Sequence, residues 1–167
     1  QFVIAEDEAG VRKVNGCHVK IKGDDAMARA AACRAERNYE EATSHVSEAL
    51  FHFKVLAGVT SVDRDMSPTL AGTIEQERRF YLTIRNPRLF VKKWAIADGT
   101  ASRTAAIQRL DERRYDDAKV ALDDATVCFA AANVDEKETG LKDIYEHITL
   151  SNEASFGDTL LETIAAA

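Results

Sequence analysis

Apolar residues recur at helical spacing along most of the chain. In one stripe, Ala42, Val46, Ala49 and Phe53 follow one another at intervals of 4, 3 and 4 residues. This spacing places them on one face of a helix. A second stripe of the same kind consists of Tyr115, Ala118, Leu122, Ala125 and Phe129. From residue 24 onward the pattern predicts a mostly α protein of about eight helices, arranged as four antiparallel hairpins in a repeat array or bundle.

Local signals predict where these helices begin and end. Ser67-Pro68 and Asn86-Pro87 predict helix starts, because a polar side chain can cap free N–H groups and proline suits the first helical position. Asn38 and Asp98-Gly99 predict breaks. Ser102 is then expected to cap a further helix to about residue 113, and two last helices are predicted near residues 141–150 and 154–164.

The first 22 residues follow a different pattern. Two short runs, Val11–Val14 and Cys17–Lys22, flank Asn15-Gly16, which is the preferred pair for a two-residue hairpin turn. The second run alternates apolar and polar residues, as a half-buried strand does. We therefore predict a short β-hairpin arm over residues 1–23, followed by an α-helical domain over residues 24–167.

One short phrase occurs three times. It covers Ala30–Tyr39, Ala71–Phe80 and Ala106–Tyr115, and in each copy Glu-Arg stands shortly before the final aromatic. The copies are offset by 41 and then 35 residues, which is in the range of helical-hairpin arrays. Such a repeat says more about architecture than about chemistry.

The first and third copies resemble the tetratricopeptide repeat. Asn38–Ala42 and Arg114–Ala118 are similar to the opening of that family's second helix, and Ala49-Leu50 is similar to its later Ala-Leu pair. The middle copy departs from the pattern, with Thr83 in place of a small residue and Pro87 inside its second helix. The resemblance covers roughly residues 26–131 and implies helical hairpins that pack through small residues.

The function that this resemblance implies is binding, in a groove lined by the first helices of the hairpins. The groove-facing candidates would be Arg34, Arg103 and Leu110, with Arg78 and Arg79 nearby. These positions do not reproduce the family's basic clamp for a C-terminal carboxylate. The expected partner is a protein or peptide of unspecified sequence, and no cofactor is needed.

Composition narrows the classes of partner. The 167 residues carry a net charge of −6, which does not attract phosphate backbones, so no nucleic-acid partner is expected. No stretch approaches the roughly 18 consecutive apolar residues of a membrane span, so no membrane partner is expected either. The compartment stays open, with the cytoplasm favoured because no Asn-x-Ser/Thr glycosylation acceptor occurs.

The three cysteines, Cys17, Cys33 and Cys128, are an odd number without CxxC spacing. They fit neither a zinc site nor a complete disulfide framework, and free apolar thiols are expected. A bridge from Cys33 to Cys128 is the alternative for a secreted protein. A secreted helical-bundle inhibitor remains a minor alternative function, because the surroundings of these two cysteines are similar to parts of the plant invertase and pectin methylesterase inhibitors.

The main alternative function is that of a calcium- or metal-responsive helical protein. Asp63, Asp65, Ser67 and Thr69 imitate the ligand spacing of an EF-hand loop, although Pro68 and Ile74 stand where that loop needs glycine and glutamate. A second candidate is the stripe formed by Glu41, His45, Glu48 and His52, which would hold iron or zinc if a facing helix completed it. Motifs for catalysis, such as a P-loop or HExxH, do not occur, and the chain is expected not to be an enzyme.

Overall fold

The computed structural model describes residues 8–60, 76 and 83–165. These residues form six helices and no strand, which confirms the mostly α class. The helices are α1 Glu8–Ala35, α2 Tyr39–Thr60, α3 Pro87–Asp111, α4 Tyr115–Ala131, α5 Glu136–Thr139 and α6 Leu141–Ala165. None of the helices in this described part is long and apolar enough to cross a bilayer. The chain divides into two compact units, residues 1–91 and 92–167.

The predicted N-terminal β-hairpin is wrong. Residues 8–23 belong to α1, so the boundary drawn at residue 23 falls inside a helix, and residues 1–7 lie outside the described part. An isolated hairpin is marginal in water, whereas a helix satisfies its own backbone hydrogen bonds. Extension of the alanine-rich helix toward the N-terminus is therefore favoured. The i,i+4 ion pair from Lys20 Nζ to Asp24 Oδ2, at 2.5 Å, stabilises the helix across residue 23.

The prediction of eight helices is also wrong for the described residues, because two predicted breaks do not occur. Helix α3 passes through Asp98-Gly99 without interruption, and α6 runs from Leu141 to Ala165 where two helices were expected. Gly99 is accommodated inside α3 because the Phe129 ring lies against it. The helix predicted to start at Ser67-Pro68 lies outside the described residues.

The corners of the two helical hairpins have the same backbone conformation. Arg37 and Arg113 adopt φ values of 62° and 60°, the left-handed conformation that commonly ends a helix. The amide of Asn38 donates to Cys33 O at 2.8 Å, and that of Arg114 donates to Arg109 O at 2.8 Å. These bonds satisfy carbonyls that the helix ends would otherwise leave free. The predicted break at Asn38 and the predicted helix start at Pro87 are both confirmed.

Small residues bring α1 and α2 together in the first unit. Ala26, Ala30, Ala42, Val46 and Ala49 are completely buried, and Phe53 is 3% exposed. The Phe53 ring lies over Gly23, where an added Cβ would stand only 2.6 Å from Phe53 Cε1. The two helices can therefore approach closely because residue 23 has no side chain.

The second unit packs α3, α4 and α6 around one core. Its buried members are Ala106, Ala118, Ala121, Leu122, Ala125, Phe129, Leu141 and Ile148. Gly99 again faces a phenylalanine, since a Cβ added at this position would lie 3.1 Å from Phe129 Cδ1. The one-turn helix α5 joins α4 to α6, and Gly140 ends it in the left-handed conformation at φ 64°.

Candidate functional site

An open cavity of about 380 Å³ lies along one face of α3 in the second unit. Helix α3 contributes four residues at helical spacing, and the end of α4 and the segment after it contribute the others. The lining residues are Lys92, Ile96, Thr100, Arg103, Phe129, Asn133, Val134 and Glu138. The volume is at the small end of the range for ligand pockets, so it suits one or two side chains of a bound peptide.

The floor of the cavity is apolar and is set by the end of α4. Asn133 adopts a left-handed φ of 50°, and the amide of Val134 donates to Phe129 O at 3.1 Å. This turn brings Val134 back beside Phe129, so that both lie in the lining together with Ile96. The floor can therefore accept an apolar side chain.

The polar lining residues carry more positive than negative charge. Lys92 and Arg103 are cationic and Glu138 is anionic, in a protein whose net charge is −6. Arg103 Nη1 donates to the carbonyl of Thr139 at 2.9 Å, which fixes the guanidinium against the end of α5. A guanidinium has five N–H donors, so this bond leaves others that can meet a carboxylate.

The structure describes three of the five predicted partner-binding residues, one in the first unit and two in the second. Arg103 lines the cavity, whereas Leu110 packs partly buried against the core of the second unit. Arg34 is half-buried on α1 in the first unit, and Arg78 and Arg79 lie outside the described residues. The calcium candidates Asp63, Asp65, Ser67 and Thr69 also lie outside them.

Sequence reasoning missed the residues that share the cavity with Arg103. Lys92, Ile96, Thr100 and Arg103 follow one another at spacings of 4, 4 and 3, which is a helical face. The predicted break at Asp98-Gly99 placed Lys92 and Ile96 in one helix and Arg103 in the next, with Thr100 between them, and hid the relation. Uninterrupted helical spacing across Gly99 was the signal that would have revealed it.

A second cluster of chemically active side chains lies at the α1–α2 corner. Ligand atoms of Cys33, Glu41 and His45 all lie within 4.8 Å of one another. Two members come from the predicted metal stripe on α2, and Cys33 comes from the facing helix α1. Cys33 and Glu41 each lie four residues from Arg37, on opposite sides of the corner, so the hairpin itself brings them together.

Hydrogen bonds and charges orient this cluster. His45 Nε2 lies 3.9 Å from Glu41 Oε1, while Nδ1 lies 3.5 Å from Glu48 Oε2. Arg29 Nη2 donates to Glu48 Oε1 at 3.0 Å and Nη1 donates to His45 Nδ1 at 3.2 Å. The hydrogen bond from Arg29 lowers the pKa of Glu48, so this carboxylate is held in its charged form.

Cys33 is half-buried, and neither Cys33 nor the buried Cys128 forms a disulfide in the described part of the chain. Partial burial, followed by the negative charges of Glu41 and Glu36, raises the pKa of the Cys33 thiol. Because the thiolate is the reactive form, this environment does not activate Cys33 as a nucleophile.

The remaining member of the predicted stripe, His52, does not join the cluster. Its ring packs edge-on against Phe51, with 5.6 Å between the ring centroids. Of the predicted stripe, only Glu41 and His45 belong to the cluster, and the facing helix α1 contributes the thiol of Cys33.

No protein-family model matches this chain, and neither a curated protein nor a solved structure matches it. The case for a function therefore comes from the sites themselves.

Proposed function

We propose that the protein is a non-enzymatic helical-hairpin module that binds a short segment of a partner protein in the α3 cavity. The observation that carries this proposal is the cavity itself, with Lys92 and Arg103 on one face of α3 and an apolar floor beside them. Arg103 is also a groove-facing candidate of the sequence pattern, which supports the same surface.

The lining specifies the chemistry of the bound segment. An apolar side chain would contact Ile96, Phe129 and Val134, which bury it from water. Carboxylates next to that side chain would reach Lys92 and the unused donors of Arg103. The partner segment is therefore an acidic peptide with an apolar anchor.

The lining is better suited to binding than to catalysis. Apart from the two cations, the only ionisable group among its described residues is the carboxylate of Glu138, and the only hydroxyl is that of Thr100. An acid–base or nucleophilic mechanism needs a positioned pair of such groups whose proton affinities differ.

The test is a selection of peptides from a random display library on the immobilised full-length chain. Selected peptides would then be synthesised and their dissociation constants measured by fluorescence polarisation. Two adjacent lysines on α3 give a matched pair of variants, because Lys92 lines the cavity and Lys93 does not. Both variants reverse one charge at an exposed position of the same helix.

We expect enrichment of acidic peptides with an apolar anchor, and about tenfold weaker binding to Lys92→Glu. That factor corresponds to about 1.4 kcal/mol, the combined loss of an attraction and gain of a repulsion near the surface. Lys93→Glu should bind nearly as the wild type does. Equal affinity of the two variants, or enrichment of basic peptides, would contradict the proposal.

A further inference from the structure

We propose that the α1–α2 corner binds one Zn²⁺ ion through the sulfur of Cys33, the carboxylate of Glu41 and the imidazole of His45. The three ligand atoms already lie within 4.8 Å of one another. They come from both helices of the hairpin, an arrangement that the α2 stripe alone does not provide. This site is separate from the α3 cavity and does not depend on the proposed function.

The geometry is close to that of a zinc site. Zinc bonds of about 2.0–2.3 Å in a tetrahedron place ligand atoms about 3.3–3.6 Å apart. The distance from His45 Nε2 to Glu41 Oε1 is 3.9 Å, so this pair must close by a few tenths of an ångström, and the pairs with Cys33 Sγ, which lie within 4.8 Å, must close by no more than about 1.3 Å. Glu41 is exposed and Cys33 and His45 are half-buried, so small side-chain rotations can supply this change.

Neighbouring side chains contact two of the proposed ligands and orient them, as outer-shell residues do in zinc sites. Asn38 Nδ2 donates to Glu41 Oε2 at 2.7 Å, which leaves Oε1 directed toward the histidine. Glu48 lies behind His45 on the Nδ1 side at 3.5 Å. A carboxylate behind the histidine ring is the usual partner that fixes the ring of a zinc ligand.

One contact must change when the metal binds. Arg29 Nη1 donates to His45 Nδ1 at 3.2 Å, which makes Nδ1 the acceptor and places the neutral ring's proton on Nε2. Metal binding at Nε2 moves that proton to Nδ1, from which it is donated to Glu48. Arg29 Nη1 can then no longer donate to Nδ1 and must turn away from the ring, while the bonds of Arg29 to Glu48 and to Asp25 Oδ2, at 3.0 and 3.1 Å, still hold the rest of the guanidinium.

The ligand set selects zinc over calcium. Calcium takes six to eight oxygen ligands, whereas this cluster offers one carboxylate, one sulfur and one nitrogen. The Cys33 thiol loses its proton to solvent when the ion binds, and the resulting thiolate and the Glu41 carboxylate together neutralise the charge of a divalent ion. Three protein ligands leave the fourth position of the tetrahedron to a water molecule.

The second hairpin shows what the same corner looks like without the ligands. At the equivalent positions, 76 residues later, it carries Arg109, Asp117 and Ala121. Arg109 Nη1 donates to Asp117 O at 3.0 Å, so a cation side chain stands where Cys33 would be. The proposal therefore predicts a metal ion at the corner of the first hairpin and none at the corner of the second.

The test is titration of the reduced full-length chain with Co²⁺, followed by displacement with Zn²⁺. Cobalt bound to a thiolate gives an intense near-ultraviolet charge-transfer band, and we expect that band at one equivalent. Cys33→Ala should abolish it and Cys128→Ala should retain it. Glu41→Gln and His45→Gln should weaken zinc binding by at least about 100-fold, and Glu48→Gln by about tenfold.

Matched controls lie on the same helix. Glu40→Gln and His52→Gln make the same chemical changes at positions outside the cluster, and each should bind zinc as the wild type does. Circular dichroism of every variant would show that the helices remain. The proposal is overturned if the cobalt band does not form in the wild-type chain. It is also overturned if the band persists in Cys33→Ala, or if Glu40→Gln and Glu41→Gln lose affinity equally.

Discussion

The two helical hairpins share one skeleton and differ in the chemistry of their surfaces. Displaced by 76 residues, six positions of α1–α2 and of α3–α4 carry the same residue. The matching pairs are Gly23 and Gly99, Ala30 and Ala106, Tyr39 and Tyr115, Ala42 and Ala118, Ala49 and Ala125, and Phe53 and Phe129. Both corners turn through an arginine in the left-handed conformation.

The differences lie at positions where the two helices meet near the surface. Residues equally distant from the corner arginine face each other in both hairpins. In the first hairpin Arg29 thus contacts His45, and in the second Ser102 Oγ donates to Asp124 Oδ2 at 2.5 Å. The skeleton therefore sets which positions meet, and the residues at those positions determine which polar contact forms.

The largest difference that we expect between the hairpins concerns their glycines. Replacing either glycine by alanine gains about 1 kcal/mol of helix propensity. At Gly23 the new Cβ would stand 2.6 Å from the Phe53 ring, whereas at Gly99 the nearest contact is 3.1 Å. Since overpacking costs about 1–3 kcal/mol and the gain in helix propensity offsets about 1 kcal/mol of it, Gly23→Ala should lower the free energy of unfolding by up to about 2 kcal/mol. Gly99→Ala should stay near the wild-type value in urea unfolding.

A double variant isolates the cause of this difference. Phe53→Leu shortens the side chain that lies over Gly23, so Gly23→Ala should cost less in that background than in the wild type. If the two costs are equal, or if Gly99→Ala is the more destabilising single change, the close approach of Phe53 to Gly23 is not the cause of the destabilisation by Gly23→Ala.

A smaller difference is expected at the corners. An L-residue in the left-handed conformation is strained, and glycine relieves that strain while making the unfolded chain more flexible. Arg113 is exposed, so Arg113→Gly should raise the free energy of unfolding by about 0.5 kcal/mol. Arg37 is half-buried and loses packing when it is replaced, so Arg37→Gly should gain less.

Thermal unfolding of Arg37→Gly and Arg113→Gly measures these effects, with Arg37→Ala and Arg113→Ala as controls. Alanine removes the side chain and keeps the strain, so neither control should stabilise the protein. A gain from Arg113→Ala as large as that from Arg113→Gly would show that the arginine side chain, and not its φ of 60°, is unfavourable.

The sequence was sufficient to predict the parts of the fold that depend on local spacing. The stripes through Val46 and Leu122 are buried as expected except for the partly buried Tyr115, because a period of 3.6 residues determines one face of a helix. Pro87 begins a helix because it needs no N–H partner there, and the amide of Leu89 is capped by Asn86 Oδ1 at 3.2 Å.

The sequence was misleading where tertiary contacts outweighed local preference. Asn15-Gly16 and Asp98-Gly99 are turn signals in isolation, yet both lie inside helices. At Gly99 the reason is visible in the Phe129 ring that packs on it. The same misassigned break hid the α3 cavity. The stripe predicted on α2 lacked Cys33, because only the folded corner places this residue beside Glu41.

The smallest expected effect concerns a contact of the second hairpin with α6, for which the described residues show no counterpart at the equivalent position of the first hairpin. Tyr145 on α6 donates its hydroxyl hydrogen to Asp123 on α4, whereas the equivalent residue of the first hairpin, Ser47, donates to Thr43 O of its own helix at 2.8 Å. The hydrogen bond to Asp123, followed by burial, raises the pKa of Tyr145 to about 12. The tyrosine pKa in the unfolded chain is about 10.

Because the folded-state pKa is the higher one, the contribution of this contact to stability is complete below about pH 10. It is lost as the pH rises through about 12. The difference between the tyrosinate absorbance titrations of the wild type and Tyr145→Phe should therefore show a step near pH 12. Asp123→Asn should move that step toward pH 10, and Asp116→Asn, which alters an exposed carboxylate on the same helix, should leave it in place. If the step already lies near pH 10 in the wild type, Asp123 does not hold the phenol, and the second hairpin is no more tied to its neighbouring helix at this position than the first.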